Sequence, residues 1–184
     1  MKKNPIIKNA LILTIITLIA GLGLGFVDEL TKNPIAQAQE KATKEAWQAV
    51  FTDVDAKIAD KAIKSVGAKA TVDEVCKAGD KGYVITTTDK EGYGGDIQIT
   101  VGITSDGTVN GISILSISET AGLGMKAKEP KFYNQYKGKK AEKFVVSKDG
   151  GDGEQIDAIS GATITSRAVT GAVNVALAYY QNAF

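Results

Sequence analysis

The chain has no histidine and a single cysteine, Cys76. A haem site of the CxxCH type, a four-cysteine cluster and a His/Cys zinc site built from this chain alone are therefore excluded. So is any catalytic triad that needs histidine as its base. Redox chemistry, if the chain performs any, falls to an organic cofactor. One cysteine cannot close an internal disulfide, and Cys76 reads as a small buried apolar residue rather than a reactive thiol. Charge of one sign is also missing: Lys plus Arg number 22 against 21 Asp plus Glu, a net charge of +1. No basic field exists to attract phosphate backbones, so nucleic acid is not an expected partner. No repeat or low-complexity tract appears. At 184 residues the chain suits one globular domain plus an appendage.

What is present begins with an apolar run. From Ala10 to Val27 the sequence reads ALILTIITLIAGLGLGFV without one charge, just long enough to cross a bilayer core. Lys2, Lys3 and Lys8 precede the run and Asp28 and Glu29 follow it. The positive-inside bias then keeps the N-terminus cytoplasmic and carries everything after the span to the far side. The competing reading is a cleaved signal peptide, for which Ala36-Gln37-Ala38 mimics a cleavage site. That stretch lies well beyond the run, after two acids and Pro34, so an uncleaved anchor is expected.

Beyond the span, Ile35, Ala38, Ala42, Ala46, Trp47, Val50, Phe51 and Val54 fall at the spacing of one helix face, predicting an amphipathic helix from Pro34 to about Val54 whose stripe is core. A second short helix is expected within Asp53 to Lys69. After the Gly79-Asp80 turn come strand patterns at Gly82 to Thr88 and Asp96 to Ile103, a hairpin turn at Ser105-Asp106-Gly107, and a strand from Thr108 to Ile117 whose register slips near Gly111. A short helix at Pro130 to Tyr136, a strand at Lys143 to Ser147 and a strong helix from Thr163 to Asn182 complete the reading. The last helix puts Val169, Val173, Ala176, Leu177 and Tyr180 on one face. The expected class is α+β with a mixed, mainly antiparallel sheet.

Chemistry points to the stretch Asp157-Ala158-Ile159-Ser160-Gly161-Ala162-Thr163-Ile164-Thr165-Ser166, directly before the final helix. Small residues at a helix start leave backbone N–H groups pointing outward, where the helix dipole favours an anion such as phosphate. Gly161 and Ala162 permit close approach, Thr163 offers a hydroxyl, and Arg167 one turn later is a candidate counter-charge. The alternative is that Ser160 and Thr163 are ordinary helix caps. Spacing alone leaves both readings open.

The pattern Asp-x-x-Ser-Gly-Ala-Thr, at Asp157, Ser160, Gly161, Ala162 and Thr163, resembles the flavinylation signature of the FMN-binding domain family. That family includes the G subunit of the Rnf ion-translocating electron-transport complex and the C subunit of the sodium-translocating NADH:quinone reductase. A second stretch, Glu119-Thr120-Ala121-Gly122-Leu123-Gly124, resembles the family's Glu-Thr-Pro-Gly-Leu-Gly segment near the flavin ring, with Ala121 where proline is common. The short length favours the Rnf branch. The resemblance implies a cytoplasmic tail at 1–9, a transmembrane helix at 10–27, a membrane-proximal helical region at 28–80 and an FMN-binding domain at 81–184. It implies an FMN joined by a phosphoester to Thr163, contacts from Ser160, Gly161, Ala162, Glu119, Thr120, Leu123 and Gly124, and no metal.

By the same resemblance the chain is an electron-carrier subunit of a ferredoxin:NAD oxidoreductase complex in the cell inner (plasma) membrane, with its C-terminal domain extracytoplasmic. It would be part of an enzyme rather than a complete one. Its partners would be the other membrane subunits and, for maturation, a separate flavin transferase using FAD. Two alternatives stand beside this: an FMN subunit of another extracytoplasmic reductase or of NADH:quinone reductase, and a membrane-tethered scaffold module without flavin.

Overall fold

The structure, a computed structural model, describes residues 5–51 and 70–184. Met1–Ala42 and Thr43–Phe184 form two compact units. Lys2, Lys3 and the short helix expected within 53–69 lie outside the described residues.

The first element is one helix, α1 (Pro5–Val50), which contains Pro34. The sequence predicts two helices here, an apolar span and a separate amphipathic helix starting at Pro34. They are one because the stretch around Pro34 is rich in Ala, Gln, Glu and Lys, strong helix formers that outweigh the one hydrogen bond a proline removes. Among the described residues, α1 is the one helix long and apolar enough to cross a membrane. The expected core stripe holds only over its last turns. Ile35, Ala38 and Ala42 are exposed, whereas Ala46, Trp47 and Val50 are buried.

Four antiparallel strands follow as a meander: β1 (Ala70–Ala78), β2 (Gly82–Asp89), β3 (Ile97–Thr104) and β4 (Val109–Ser116). The membrane-proximal helical region expected over 28–80 is corrected here, since β1 lies inside it and pairs along β2 from Ala70↔Asp89 to Ala78↔Gly82. The sheet thus begins before the expected domain start at 81. Its first strand, ATVDEVCKA, escapes sequence reasoning because a bulge between Val72 and Glu74 breaks the alternation by which strands are recognised. The expected slip near Gly111 is present: Gly102 faces Gly111, but Ile103 faces Val109, so Asn110 is the extra residue.

Both faces of the sheet are covered. On one, Trp47, Val50 and Phe51 pack with Cys76, Ala78 and Val84. The chain approaches so closely that a Cβ added to Gly102 would lie 2.8 Å from Val50 Cβ. Asn110 Nδ2 donates to the Val50 carbonyl, using the bulged residue to satisfy an orphan acceptor at the end of α1. On the other face lies the main core, where Ile85, Ile97, Ile99, Val101 and Ile103 meet Val169, Ala172, Val173, Ala176 and Leu177 of the final helix.

Between β4 and that helix the chain makes a 3-10 turn at Gly124–Lys128, a short helix α2 (Pro130–Tyr133) continued by a 3-10 turn at Asn134–Tyr136, and a small parallel pair, β5 (Phe144–Val146) with β6 (Glu154–Ile156). The final helix is α3 (Thr163–Ala183). Its Asn174 fastens β5, accepting the Phe144 N–H and donating to the Phe144 carbonyl, both at 2.8 Å. Tyr136 is fully buried and bonds Thr170 at 2.8 Å. Thr170 spends its own proton on the Ser166 carbonyl, so Tyr136 is the donor. Burial pushes the Tyr136 phenol well above its ordinary range. Because the strands are antiparallel, the β2–β3 connection and the chain leaving β4 emerge at the same end of the sheet. The start of α3 sits there too.

Candidate functional site

A cleft of about 580 Å³ opens at that end, lined by both motifs singled out above. Glu119, Thr120, Leu123 and Gly124 form one wall; Gly161, Ala162 and Thr163 form the other, with Ile164, Thr165, Tyr93 and Lys148 completing it. The volume lies within the range of small-molecule and cofactor sites. Residues about forty positions apart in sequence converge here because the β4 exit and the α3 start share one end of the sheet.

The start of α3 decides between the two readings of its hydroxyl residues. Its N-cap is Ala162, and no side chain caps the helix. Ser160 and Thr163 are therefore not helix caps, and the first-turn N–H groups are left for another acceptor. The loop before them is braced from within. The buried Ser166 hydroxyl accepts the Ile159 N–H at 2.9 Å and donates to the Ala162 carbonyl at 2.9 Å. Gly161 takes φ +76°, a conformation that side chains other than glycine adopt at a cost. At the loop's far end Gln135 grips the Asp157 backbone twice, accepting its N–H at 2.7 Å and donating to its carbonyl at 3.2 Å.

The opposite wall is as tightly built. The Glu119 side chain is buried, and Gly94 N–H donates to its Oε1 at 3.3 Å. Gly124 packs so closely that an added Cβ would lie 2.6 Å from Thr165 Oγ1 and 2.7 Å from Glu119 Cβ. Glycine is thus required there for close approach. Leu123 stays 43 % exposed, and with Ile164 (46 %) and Tyr93 (71 %) it presents apolar surface to water. Among the described residues of Thr43–Phe184, the large apolar ones left exposed are these three and Phe184. Three of the four line this one cleft.

Ser160 is not brought into it. It is exposed and lines a neighbouring cleft of about 460 Å³ with Lys126, Lys131, Phe132, Gln135 and Asp157. Arg167, the candidate counter-charge, is engaged elsewhere: its Nε donates to both Asp149 oxygens at 2.9 Å, and the pair holds the Asp149 carboxyl below its ordinary range and the guanidinium above. The cation lining the cleft is instead Lys148, the residue before Asp149. Sequence reasoning missed Tyr93 and Lys148, and it gave no site role to Ile164 and Thr165, although both lie in the stretch it singled out. For Tyr93 a signal existed, an aromatic residue between glycines in Gly92-Tyr93-Gly94-Gly95. Lys148 carried none, being one lysine among many.

This construction fits an elongated ligand with an anionic end and a flat apolar body. Uncapped amides, the Thr163 hydroxyl and Lys148 suit a phosphate. Tyr93, Leu123 and Ile164 suit a ring. The residues present therefore fit an FMN.

Comparison with known proteins agrees with the geometry. Residues 92–178 match the FMN-binding domain, and residues 1–50 match the RnfG N-terminal region. The G subunit of the Na(+)-translocating ferredoxin:NAD(+) oxidoreductase complex of Acetobacterium woodii is 33 % identical over 96 % of this chain and 92 % of its own length. The G subunit of the proton-translocating complex of Clostridium ljungdahlii is 37 % identical over 95 % of this chain and 91 % of its own. The crystal structure of Shewanella oneidensis NqrC aligns with a TM-score of 0.47 at 23 % identity, covering 70 % of this chain and 67 % of that one. Matched along nearly its whole length by the two G subunits from Acetobacterium woodii and Clostridium ljungdahlii, the chain belongs to the RnfG family, the G subunits of ion-translocating oxidoreductase complexes.

Proposed function

We propose that this chain is the electron-carrier subunit of a membrane-bound, ion-translocating ferredoxin:NAD oxidoreductase complex, and that it carries an FMN joined through its phosphate to the Thr163 hydroxyl. One observation carries the reading: an uncapped helix start with a free hydroxyl and three exposed apolar side chains share a single cleft. Bound FMN supplies reversible electron uptake, chemistry that no side chain of a histidine-free, one-cysteine chain supplies.

The chain's own residues do the rest. Thr163 Oγ forms the bond to the FMN phosphorus as the pyrophosphate of FAD breaks and AMP leaves; the hydroxyl proton passes to a base of the separate flavin transferase. The α3 amides and Lys148 hold the phosphodiester charge. Gly161 and Ala162 let it approach. Glu119, Thr120, Leu123 and Gly124 bound the ring. Ser160, on the neighbouring cleft, acts through the loop rather than by lying beside the cofactor.

The domain belongs on the extracytoplasmic side of the cell inner membrane, anchored by the apolar part of α1, since Lys8 precedes that run and Asp28 and Glu29 follow it. A covalent link has a physical purpose there, where a dissociated cofactor would be lost. The remaining membrane subunits of the complex are its electron-transfer partners.

The test is the mass of the native polypeptide. The expected result is a Thr163-containing peptide heavier by one FMN less water, with flavin fluorescence surviving denaturation. An unmodified Thr163 peptide throughout the native complex would overturn the proposal and favour a tethered module without flavin.

A further inference from the structure

Resting on the FMN reading above, we propose that Tyr93 is the aromatic wall against which the flavin ring packs. The side chain is 71 % exposed and lines the cleft. Among the described residues it stacks on no other ring.

Its placement is built. A Cβ added to Gly92 would collide with the Gly95 carbonyl oxygen, and one added to Gly94 would collide with that of Ser118. Both neighbours are therefore pressed against the body of the domain, where only glycine fits, and the Gly94 N–H is held by Glu119 Oε1 at 3.3 Å. With its flanks seated, the loop projects Tyr93 from a fixed base into the cleft. A mobile surface tyrosine needs no such seat. The phenol faces water only until something flat covers it, and Leu123 and Ile164 extend the same apolar surface. Aromatic rings prefer a π-partner, and a preorganised one costs less entropy to engage. Glu119 thereby acts as a positioning residue for the Tyr93 loop.

Flavin fluorescence reads this contact directly. A phenol touching an oxidised flavin gives an electron to the excited ring and takes it back, which quenches emission without net chemistry. The full-length chain is flavinylated by coexpression with a flavin transferase, and occupancy is measured by mass. At equal occupancy, Tyr93→Leu is expected to raise the fluorescence yield severalfold, while Tyr93→Trp keeps it low because indole is also an electron donor. Tyr93→Phe keeps the bulk and removes the donor. It is expected to brighten as well, and it serves where the leucine variant does not fold.

An unchanged yield in both Tyr93→Leu and Tyr93→Phe, with flavin fully attached, overturns the inference and leaves the FMN reading standing. Absence of attached flavin from the parent protein overturns both, and mass shows it before any fluorescence is recorded.

Discussion

The Ser166 hydroxyl accepts the Ile159 N–H at 2.9 Å, so a residue inside α3 holds the loop that leads into it. Both partners are buried. The same hydroxyl donates to the Ala162 carbonyl, closing the turn that presents Thr163. Ser166→Ala leaves the Ile159 amide buried without a partner, which costs about 1–3 kcal/mol. The expected outcome is a lower unfolding midpoint of the full chain in denaturant, with slower flavin attachment because the loop is no longer fixed. An unchanged midpoint would mean that water replaces the hydroxyl.

Cys76 makes a contrasting prediction because it lies far from the cleft. It is buried with Trp47, Val50 and Phe51 between the end of α1 and the sheet. Burial, reinforced by the charge of Glu74, pushes its thiol up to about 11 from 9.0. Folding thus disfavours the thiolate. Its contribution to stability is complete below pH 9 and is lost as pH rises toward 11, because only the unfolded chain ionises in that window. At pH 8 the folded protein is expected to resist alkylation and the denatured protein to react at once; rapid labelling of the folded chain would contradict the burial.

Much of this is legible in the sequence. The hairpin at Ser105-Asp106-Gly107, the strands around it and the final helix follow from turn chemistry and from periods of two and three to four residues, signals that are local. What escapes is not local. β1 hides behind a bulge, and α1 runs on through Pro34 because the surrounding helix formers outvote it. At the site, Thr163, Gly161 and Leu123 are named by their motifs, and the cleft contains them. Tyr93 and Lys148 are missed because their place depends on which strand ends share an edge of the sheet. Arg167 is misassigned for the same reason, since Asp149 captures it across a distance that sequence does not encode.

Gly124 tests whether the cleft needs its close packing. A Cβ there would come within 2.6 Å of Thr165 Oγ1 and 2.8 Å of Glu119 Oε2. Something must move, and the buried Glu119 is what the Tyr93 loop hangs on. Overpacking of this kind costs about 1–3 kcal/mol. Gly124→Ala is expected to lower the thermal midpoint and to reduce flavin attachment at a fixed ratio of transferase to substrate. Gly122→Ala separates the causes: it lies in the same turn at φ +76° but meets nothing within 4 Å, so it strains the backbone without crowding the cleft. Equal losses of attachment in the two variants would argue against packing.

Thr163 and Ser160 stand three residues apart in one motif, and the structure gives them different surroundings. Thr163 is half-buried in the cleft, and Ser160 is exposed on the neighbouring one. Neither caps α3, so losing either hydroxyl removes no helix hydrogen bond. Thr163→Ala is therefore expected to change stability by no more than about 0.5 kcal/mol while abolishing covalent flavin altogether, seen as a colourless band after denaturing electrophoresis. Thr163→Ser keeps a hydroxyl and retains attachment in part. Ser160→Ala retains more than Thr163→Ala does, because it alters the loop surface and leaves the acceptor oxygen in place. A fluorescent Thr163→Ala band would move the attachment point to another hydroxyl. The cleft itself offers the next ones to examine, Thr165 and Thr120. Thr165 is 1 % exposed, against the exposed Thr120, so Thr120 is the residue to substitute first.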